Sequence, residues 1–272
     1  MKIYRLFRLT VYRNLLISAV FLLLFFFNAT LCKNSQQTME TYYLLTFGGV
    51  HLFQSINGIE LIQFFVPNLF IIFMYSNLFR SECTIHYVYV FPRTAKKQKW
   101  LFQKTLQLFF LTAFLSLWLF VLAYLIGTIF ALPHITSISF IKLVLPMYLI
   151  NMLTLFEFIF LQNILSMKNG STISFLWILI LYIVPVLVVL LLNQNLKLGP
   201  ILYFILPANQ MYLWHADRMM MSESEIAFSG SIEGFLLLNS LLALTVFIII
   251  SYRFYRRLFL KKDMMELIKE SE

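Results

Sequence analysis

The sequence predicts an all-α integral membrane protein with six transmembrane helices and both termini in the cytoplasm. Its 272 residues are 61% hydrophobic and 12% charged, whereas soluble domains are about 25% charged. Long apolar runs recur along the chain, and about 20 such residues are enough to cross a bilayer. The net charge of +9 does not indicate nucleic-acid binding, because the basic residues lie at the ends of apolar runs. We therefore expect a single membrane domain over residues 1–272.

The distribution of the 21 Lys and Arg residues predicts the orientation. Seventeen lie in segments on the predicted inner side: four in residues 1–14, six in 80–104, one at Lys168 and six in 253–272. The other four lie on the predicted outer side: Lys33, Lys142, Lys197 and Arg218. Since cytoplasmic segments carry the excess of positive charge, this bias favours six spans with both ends inside.

Residues 1–14 predict a short amphipathic helix lying in the inner membrane interface. Apolar residues recur there at helical spacing with basic residues between them. Residues 15–31 are then almost wholly apolar. A basic start before an apolar run also matches a signal peptide, but no Ala-x-Ala pattern follows, so we interpret the run as the first span.

The other spans follow from apolar runs separated by polar or proline-containing segments. The first outer loop, residues 33–59, is predicted to contain a helix that dips into the interface. The third run is longer than a bilayer requires, so we expect a tilted helix. Residues 133–142 are predicted to form a short outer turn. The predicted spans are residues 15–31, 60–79, a stretch within 106–132, 143–167, 173–192 and 235–252.

The connection before the last span, residues 193–233, is long and not uniformly polar. Its apolar part, residues 198–214, is interrupted by Pro200 and Pro207 and is too short to span a membrane. We interpret it as an outer re-entrant or interfacial hairpin. Residues 253–272 form a charged cytoplasmic tail.

Residues 80–104 form a basic inner loop, with six Lys and Arg residues against the single acid Glu82. Its first part, residues 84–91, is apolar and aromatic and ends at Pro92. Exposed apolar surface beside a membrane is typical of a binding site. We therefore interpret this loop as the segment that a cytoplasmic partner binds.

Two acids lie in or beside the predicted spans. Glu157 lies near the middle of the fourth span, where a charge is costly, and the polar residues Asn151, Thr154 and Gln162 share a narrow arc of the same helix. This pattern indicates either a polar wall of a transport path or a hydrogen-bonded glutamate that joins two helices. Glu60, at the outer end of the second span, is either a water-accessible functional acid or a helix-start acid favoured by the helix dipole.

The sequence contains no motif that indicates enzymatic chemistry. It has no Gly-x-x-x-x-Gly-Lys-Ser/Thr phosphate loop, no His-Glu-x-x-His and no Gly-x-Ser-x-Gly. No His or Cys spacing is typical of a metal site. We therefore expect no catalytic, cofactor-binding or metal-binding residue in this chain.

The chain resembles the membrane subunits of type-2 ABC exporters, the permeases that pair with a separate ATPase. Those permeases have six spans, both ends inside, an N-terminal elbow helix and a long outer connection before the last span. Their inner loop after the second span often carries a Glu, a Thr, a Pro followed by a basic residue, and a later Lys. The corresponding residues here are Glu82, Thr84, Pro92, Arg93 and Lys104. The departures are Cys83, where a glycine is common, and a longer basic stretch after Pro92.

The resemblance implies a function and its partners. Residues 84–91 would be the coupling helix that inserts into the ATPase, with the elbow helix beside it; the coupling residues would be Glu82, Thr84, Tyr87, Tyr89, Phe91, Pro92 and Arg93. Two ATPase copies, carrying the ATP and Mg²⁺, would drive two permease chains, identical or different. The path would lie between them, lined by the first, second and fifth spans. The chain is most similar to small bacterial plasma-membrane permeases that export bacteriocin-like peptides or hydrophobic compounds, or give immunity to them.

Three other classes stay open. A stand-alone membrane sensor or immunity protein would bind its ligand through residues 193–233, and a different type of transporter would need no ABC ATPase. A membrane-embedded enzyme acting on lipid or peptide would need a polar catalytic set, which the sequence does not contain. The substrate and its direction of travel do not follow from the sequence.

Overall fold

The computed structural model describes residues 2–51, 58–81, 97–134, 137–195, 207–215, 217, 232 and 234–261. Within these residues the secondary structure is helical, with one isolated bridge between His215 and Ile232. The described α-helices are α1 (Lys2–Asn34), α2 (Met39–Phe47), α3 (Gly58–Met74), α4 (Lys97–Ile129), α5 (Ser137–Asn169), α6 (Ser171–Asn195) and α7 (Leu237–Lys261). Two short 3₁₀ helices, Pro207–Asn209 and Tyr212–Trp214, precede α7.

Six of the helices are long and apolar enough to cross a membrane, which confirms the predicted multi-pass helical fold. The six stretches are Val11–Asn34, Gly58–Ser81, Gln98–Ile129, Phe140–Asn169, Ser171–Leu192 and Leu237–Arg257. Helix α1 runs without a break from residue 2 through the first span. The elbow helix and the cytoplasmic position of both termini stay predictions.

Helix α5, the fourth span, is the centre of the bundle. In its most apolar window 61% of the residues are buried, against 11% in α7. It packs against α3, α4, α6 and α7. The large apolar faces that remain exposed on the other spans are expected for a protein whose surroundings are lipid rather than water.

The prediction of an outer turn at residues 133–142 is mostly wrong. Helix α5 already begins at Ser137, so that only residues 130–134 are described as a non-helical connection after α4. Pro133 lacks a backbone N–H and therefore cannot extend α4, and its carbonyl accepts a hydrogen bond from the N–H of Met39 at 2.9 Å. The turn is thus tied to the start of α2.

Helix α2 is the main departure from the predicted outer loop. The predicted helix is present, but it enters the bundle instead of lying along its surface, and seven of its nine residues are buried. The ring of Phe47 stacks on Phe120 with centroids 4.0 Å apart, and the hydroxyl of Tyr43 donates to the carbonyl of Phe120 at 2.7 Å. Because α2 is largely apolar on all sides, burial against three or more neighbours suits it better than a membrane surface would.

The two ends of the bundle differ in character. We call the end that carries α2 and residues 207–215 the capped end. The opposite end, which carries the basic residues flanking residues 82–96, is called the basic end. Side-chain contacts at the basic end join the end of α3 to α1, α4 and α5.

Candidate functional site

A cap closes one end of the bundle; it consists of residues 48–50 and residues 207–215. All residues from 207 to 215 are buried. The two parts are joined by three hydrogen bonds: Leu213 N–H to the Gly48 carbonyl at 2.9 Å, the Trp214 indole N–H to the Val50 carbonyl at 2.6 Å, and Val50 N–H to the Met211 sulfur at 3.3 Å. Buried irregular backbone needs partners for its polar groups, and these bonds supply some of them within the protein.

Two glycines permit the close approach within the cap. A Cβ atom at Gly48 would lie 2.4 Å from the Leu44 carbonyl oxygen and 2.9 Å from the side chain of Leu213. Gly49 has a φ of +104°, and a Cβ atom there would lie 2.7 Å from Met211. Both positions therefore require glycine, the second for its backbone conformation as well.

His215 anchors the cap to α7. Its Nε2 lies 2.6 Å from the hydroxyl of Ser240, its Nδ1 lies 3.2 Å from the Tyr212 carbonyl, and its ring stacks on Phe235 at 4.4 Å. The residue is fully buried. Residues 207–214 of the predicted hairpin are buried against the bundle, and residues 198–206 lie outside the described residues; the re-entrant and interfacial interpretations both stay predictions.

A small polar cavity lies beneath the cap, with a volume of about 310 Å³ that includes space open to the surroundings. The cap, the end of α2, and helices α3, α5 and α6 line it. The space open to the centre of a water molecule is about 10 Å³, and a single buried water needs roughly 10–15 Å³. The polar side chains of the lining are uncharged: Asn68, Asn151, Thr154, Tyr182, Gln210 and Tyr212. The cavity is therefore suited to one water or a small uncharged polar group.

Two of the predicted polar residues, Asn151 and Thr154, line this cavity. The Asn151 amide donates to the carbonyl of Phe47 at 2.9 Å and to that of Met147 at 3.0 Å, and so joins α5 to the end of α2. Thr154 is only 8% exposed, and its hydroxyl has no hydrogen-bond partner within the described part of the chain. A buried hydroxyl of this kind is a site for an ordered water.

The other two predicted polar residues, Gln162 of the arc and Glu157 beside it, face elsewhere. Glu157 is 1% exposed and accepts a hydrogen bond from the hydroxyl of Ser251 on α7 at 2.6 Å. Gln162 donates to the carbonyl of Ser171 at 3.2 Å, at the junction between α5 and α6. These polar residues of α5 therefore contact three different neighbours: Asn151 the end of α2, Glu157 helix α7 and Gln162 the start of α6. The position of Glu157 matches the helix-joining alternative.

Glu60 lies in the first turn of α3 and contacts His51. One of its carboxylate oxygens accepts a hydrogen bond from the backbone N–H of His51 and also contacts Nδ1 of the same residue. The pair joins the start of the second span to the chain that leaves the cap. The location in a first helical turn agrees with the dipole interpretation, and the histidine contact was not foreseen from the sequence.

A group of hydrogen-bonded polar residues lies at the basic end, and it was not predicted from the sequence. The buried Asn163 of α5 donates to the carbonyl of Tyr75 at 2.7 Å and accepts from the N–H of Phe79 at 3.0 Å. These two residues flank the turn that ends α3. The Tyr75 hydroxyl in turn donates to Asn14 of α1. A single polar residue in an apolar span carries little sequence signal, because its partners are more than 80 residues away.

The predicted coupling residues lie outside the described residues: Glu82, Thr84, Tyr87, Tyr89, Phe91, Pro92 and Arg93. The structure does describe the two segments that flank them. Phe79 on one side and Trp100 on the other are in edge-to-face contact at 6.5 Å, and Phe79 also contacts Phe160 of α5 at 6.2 Å. The segments on either side of residues 82–96 therefore lie next to each other, beside the fourth span.

These features define a multi-pass helical membrane protein with a small polar pocket beneath a cap. Within the described residues, no group of three or more His, Cys, Asp or Glu side chains is placed to hold a metal ion. The family described as "Protein of unknown function (DUF2705)" matches residues 15–265, and the chain belongs to that family. No curated protein and no solved structure matches the chain.

Proposed function

We propose that this chain is the membrane-spanning permease subunit of an ATP-driven ABC transporter. In this proposal two copies of a partner ATPase bind the cytoplasmic loop of residues 80–104, and a second permease chain completes the transporter. The cargo is a bacteriocin-like peptide or a hydrophobic compound, which is exported or to which immunity is given. The chain itself hydrolyses nothing and holds no cofactor; ATP and Mg²⁺ belong to the ATPase. The membrane is the bacterial plasma membrane, with both termini cytoplasmic.

The observation that carries the proposal is the attachment of the loop's base to the central span. Asn163 holds both sides of the turn at residues 75–79, and Phe79 packs between Trp100 and Phe160. A force applied to residues 82–96 would therefore reach α5 through buried contacts rather than be absorbed by a loose hinge. Packed elements of this kind move between discrete arrangements, as ATP-driven transport requires.

Co-purification tests the proposal. The full chain is tagged and purified from the native membrane with its bound proteins, and their ATP hydrolysis is measured. We expect a phosphate-loop ATPase in stoichiometric amount with the unaltered chain. The Tyr87→Asp, Tyr89→Asp and Phe91→Asp variants are expected to lose it, because a charge opposes burial in an apolar groove.

The matched controls are Tyr87→Phe and Tyr89→Phe, which keep the apolar ring and are expected to keep the ATPase. Aspartate variants that still carry a full complement of ATPase would refute the coupling assignment. If no ATPase co-purifies with the unaltered chain, the permease proposal itself is refuted, and the sensor or immunity class becomes the favoured function.

A second candidate, a transporter whose path runs through a single chain, is favoured by the polar cavity. The cavity lies between helices of one chain and under a cap that would serve as its closure. In a background with Cys32 and Cys83 replaced by alanine, the reconstituted Thr154→Cys variant is treated with a water-soluble maleimide. Labelling of this cysteine in the chain reconstituted without any partner protein favours a path through one chain. Ser116→Cys is the control, because Ser116 is also buried but lies in α4 and does not line the cavity.

A further inference from the structure

Glu157 carries a carboxyl group that is buried near the middle of the membrane and that the proposed function does not use. The residue lies within about one helical turn of the midpoint of the fourth apolar stretch, Phe140–Asn169, and is 1% exposed. An ionised carboxylate at that depth is costly, because neither lipid nor apolar side chains can replace its hydration.

The hydrogen bonds of Glu157 suit a neutral carboxylic acid better than a carboxylate. One carboxyl oxygen accepts a hydrogen bond from the Ser251 hydroxyl at 2.6 Å, whereas no donor of the described residues reaches the other oxygen, Oε2, which is also buried. A carboxylate has only acceptor oxygens, so its charge would be left uncompensated at Oε2. A carboxylic acid carries its own proton on that oxygen.

No described cation forms an ion pair with this carboxyl group. Helix α5 packs against α2, α3, α4, α6 and α7. The described Lys and Arg side chains on those helices lie toward the basic end, and none of them is paired with Glu157: Arg80, Lys99, Lys104, Arg253, Arg256 and Arg257. The Lys residues of α5 itself, Lys142 and Lys168, are exposed at its two ends.

The other titratable side chains on these helices do not supply a positive charge either. Glu40 and Glu60 lie in the first turns of α2 and α3. Tyr182 of α6 and Tyr255 of α7 pack their rings against aromatic residues of α5 that follow Glu157. A tyrosine hydroxyl is neutral near pH 7. The charge of an ionised Glu157 would therefore meet no opposite charge among the described side chains.

Helix α7, which supplies the hydrogen-bond donor, is the most weakly packed of the six apolar helices. In its most apolar window 11% of the residues are buried, against 33% or more in the other five. Elements with few buried contacts open more easily than the core of a fold. Water would reach Glu157, and allow it to ionise, if α7 moved away from α5.

We propose that Glu157 is a proton-binding site between α5 and α7, that it is protonated in this conformation, and that release of the proton separates the two helices. The proton comes from water and returns to water, and no covalent bond other than the O–H bond changes. A bound metal ion could also neutralise the carboxyl group, but the described residues contain no group of three or more His, Cys, Asp or Glu side chains placed to hold one. The proposal is independent of the partner ATPase.

Infrared spectroscopy tests the charge state of Glu157. The full chain is purified in a detergent without carbonyl groups, because a protonated carboxylic acid has a C=O stretching band that a carboxylate lacks. We expect such a band at neutral pH, and we expect Glu157→Gln to remove it. Ser251→Ala should keep the band but move it to higher frequency, because the C=O group loses its donor. Glu40→Gln is the matched control and should leave the band in place, since Glu40 is also 1% exposed but lies in α2.

The pH dependence of stability tests whether the folded chain holds this proton. An exposed glutamate in the unfolded chain loses its proton above about pH 4.3. The folded chain then binds one proton more than the unfolded chain, so its stability should fall as the pH rises. The fall is at most about tenfold in the folding equilibrium per pH unit. Glu157→Gln should lack this contribution, and the difference between the two proteins isolates it from the histidines.

A cysteine on the buried face of α7 reports the separation of the helices. Leu244 is fully buried and lies seven residues, or about two turns, before Ser251. With Cys32 and Cys83 replaced by alanine, labelling of Leu244→Cys by a small maleimide is expected to accelerate with pH more than labelling of Leu242→Cys. Leu242 is 57% exposed on the same helix, so this second reporter corrects for ionisation of the thiol itself.

The outcomes separate the two parts of the proposal. A chain without a C=O band that Glu157→Gln removes would overturn the proton site. The same pH dependence of stability in the unaltered and Glu157→Gln chains would also overturn it. Labelling of Leu244→Cys that Glu157→Gln leaves unchanged at every pH would overturn the link between the proton and the separation of α7 from α5.

Discussion

At the scale of single residues, Asn163 of α5 is a buried polar residue that joins the fourth span to the turn after α3. It bonds the carbonyls of Tyr75 and Ile159 and the N–H of Phe79. Asn163→Leu would leave the Tyr75 and Phe79 groups buried without these partners, and we expect the free energy of unfolding to fall by roughly 2–4 kcal/mol. The loss is measured by unfolding titration in mixed detergent micelles. The control is Asn239→Leu on the exposed face of α7, and an equal effect there would contradict the prediction.

Glu157 gives a second prediction at the same scale. If its contact with Ser251 joins α5 to α7, then the effects of Glu157→Leu and Ser251→Ala on the free energy of unfolding should not be additive. A double-mutant cycle is expected to give a coupling of about 0.6–1.7 kcal/mol, the range measured for hydrogen bonds between transmembrane helices. Glu157→Gln keeps an acceptor oxygen and should retain most of this coupling. Independent effects of the two substitutions would return Glu157 to the transport-path interpretation.

At the scale of elements, the cap depends on the two glycines that follow α2. Gly49→Ala places a Cβ atom 2.7 Å from Met211 and fixes an unfavourable backbone conformation. We expect a loss of roughly 2–4 kcal/mol in the free energy of unfolding from overpacking and the positive φ together. The displaced cap should also expose the cavity, so that a Thr154→Cys reporter reacts faster with a maleimide.

The chain supplies a matched control for that experiment. Gly58 begins α3, and a Cβ atom there would meet no atom within 4 Å. Gly58→Ala is expected to change the free energy of unfolding by less than about 0.5 kcal/mol, as for most exposed substitutions. A Gly49→Ala protein as stable as Gly58→Ala, with no faster labelling, would mean that the cap does not depend on close packing at Gly49.

The contrast between α2 and the spans shows what the sequence can predict for elements. Each span is a local property of a long, mostly apolar run, so the six spans were predicted correctly. Their ends differ by at most five residues, apart from the third span, which begins at residue 98 rather than 106. Helix α2 has nine residues, too few to span, and its burial depends on partners such as Trp214, which bonds Val50 across 164 positions. No local pattern in residues 39–50 contains that information.

For the same reason, only part of the candidate site could be predicted from the sequence. Asn151 and Thr154 were found because polar residues in an apolar span are unusual and share a helical face. The cap that completes the cavity was not predicted, since it depends on residues 48–50 meeting residues 207–215. Helical periodicity places Glu157 near the polar arc, but only the packing of α7 against α5 shows that its partner is Ser251.

At the scale of the whole molecule, the unequal ends of the bundle predict its orientation. The basic end carries the segments that hold most of the Lys and Arg residues, and such segments stay in the cytoplasm. Alkaline phosphatase requires disulfides and is active only outside the cytoplasm, whereas green fluorescent protein reports the cytoplasmic side. Both reporters are fused in turn after residues 134, 170, 217 and 272 in a bacterial host.

We expect fluorescence from the fusions after residues 170 and 272 and phosphatase activity from those after residues 134 and 217. The positions alternate between the ends because α4, α5, α6 and α7 each cross the bundle once between them. Replacing the six Lys and Arg residues of residues 80–104 by glutamine should weaken this pattern, because it removes six of the seventeen charges that favour it. The opposite pattern in the unaltered chain would place residues 82–96 outside the cell, beyond the reach of any cytoplasmic ATPase.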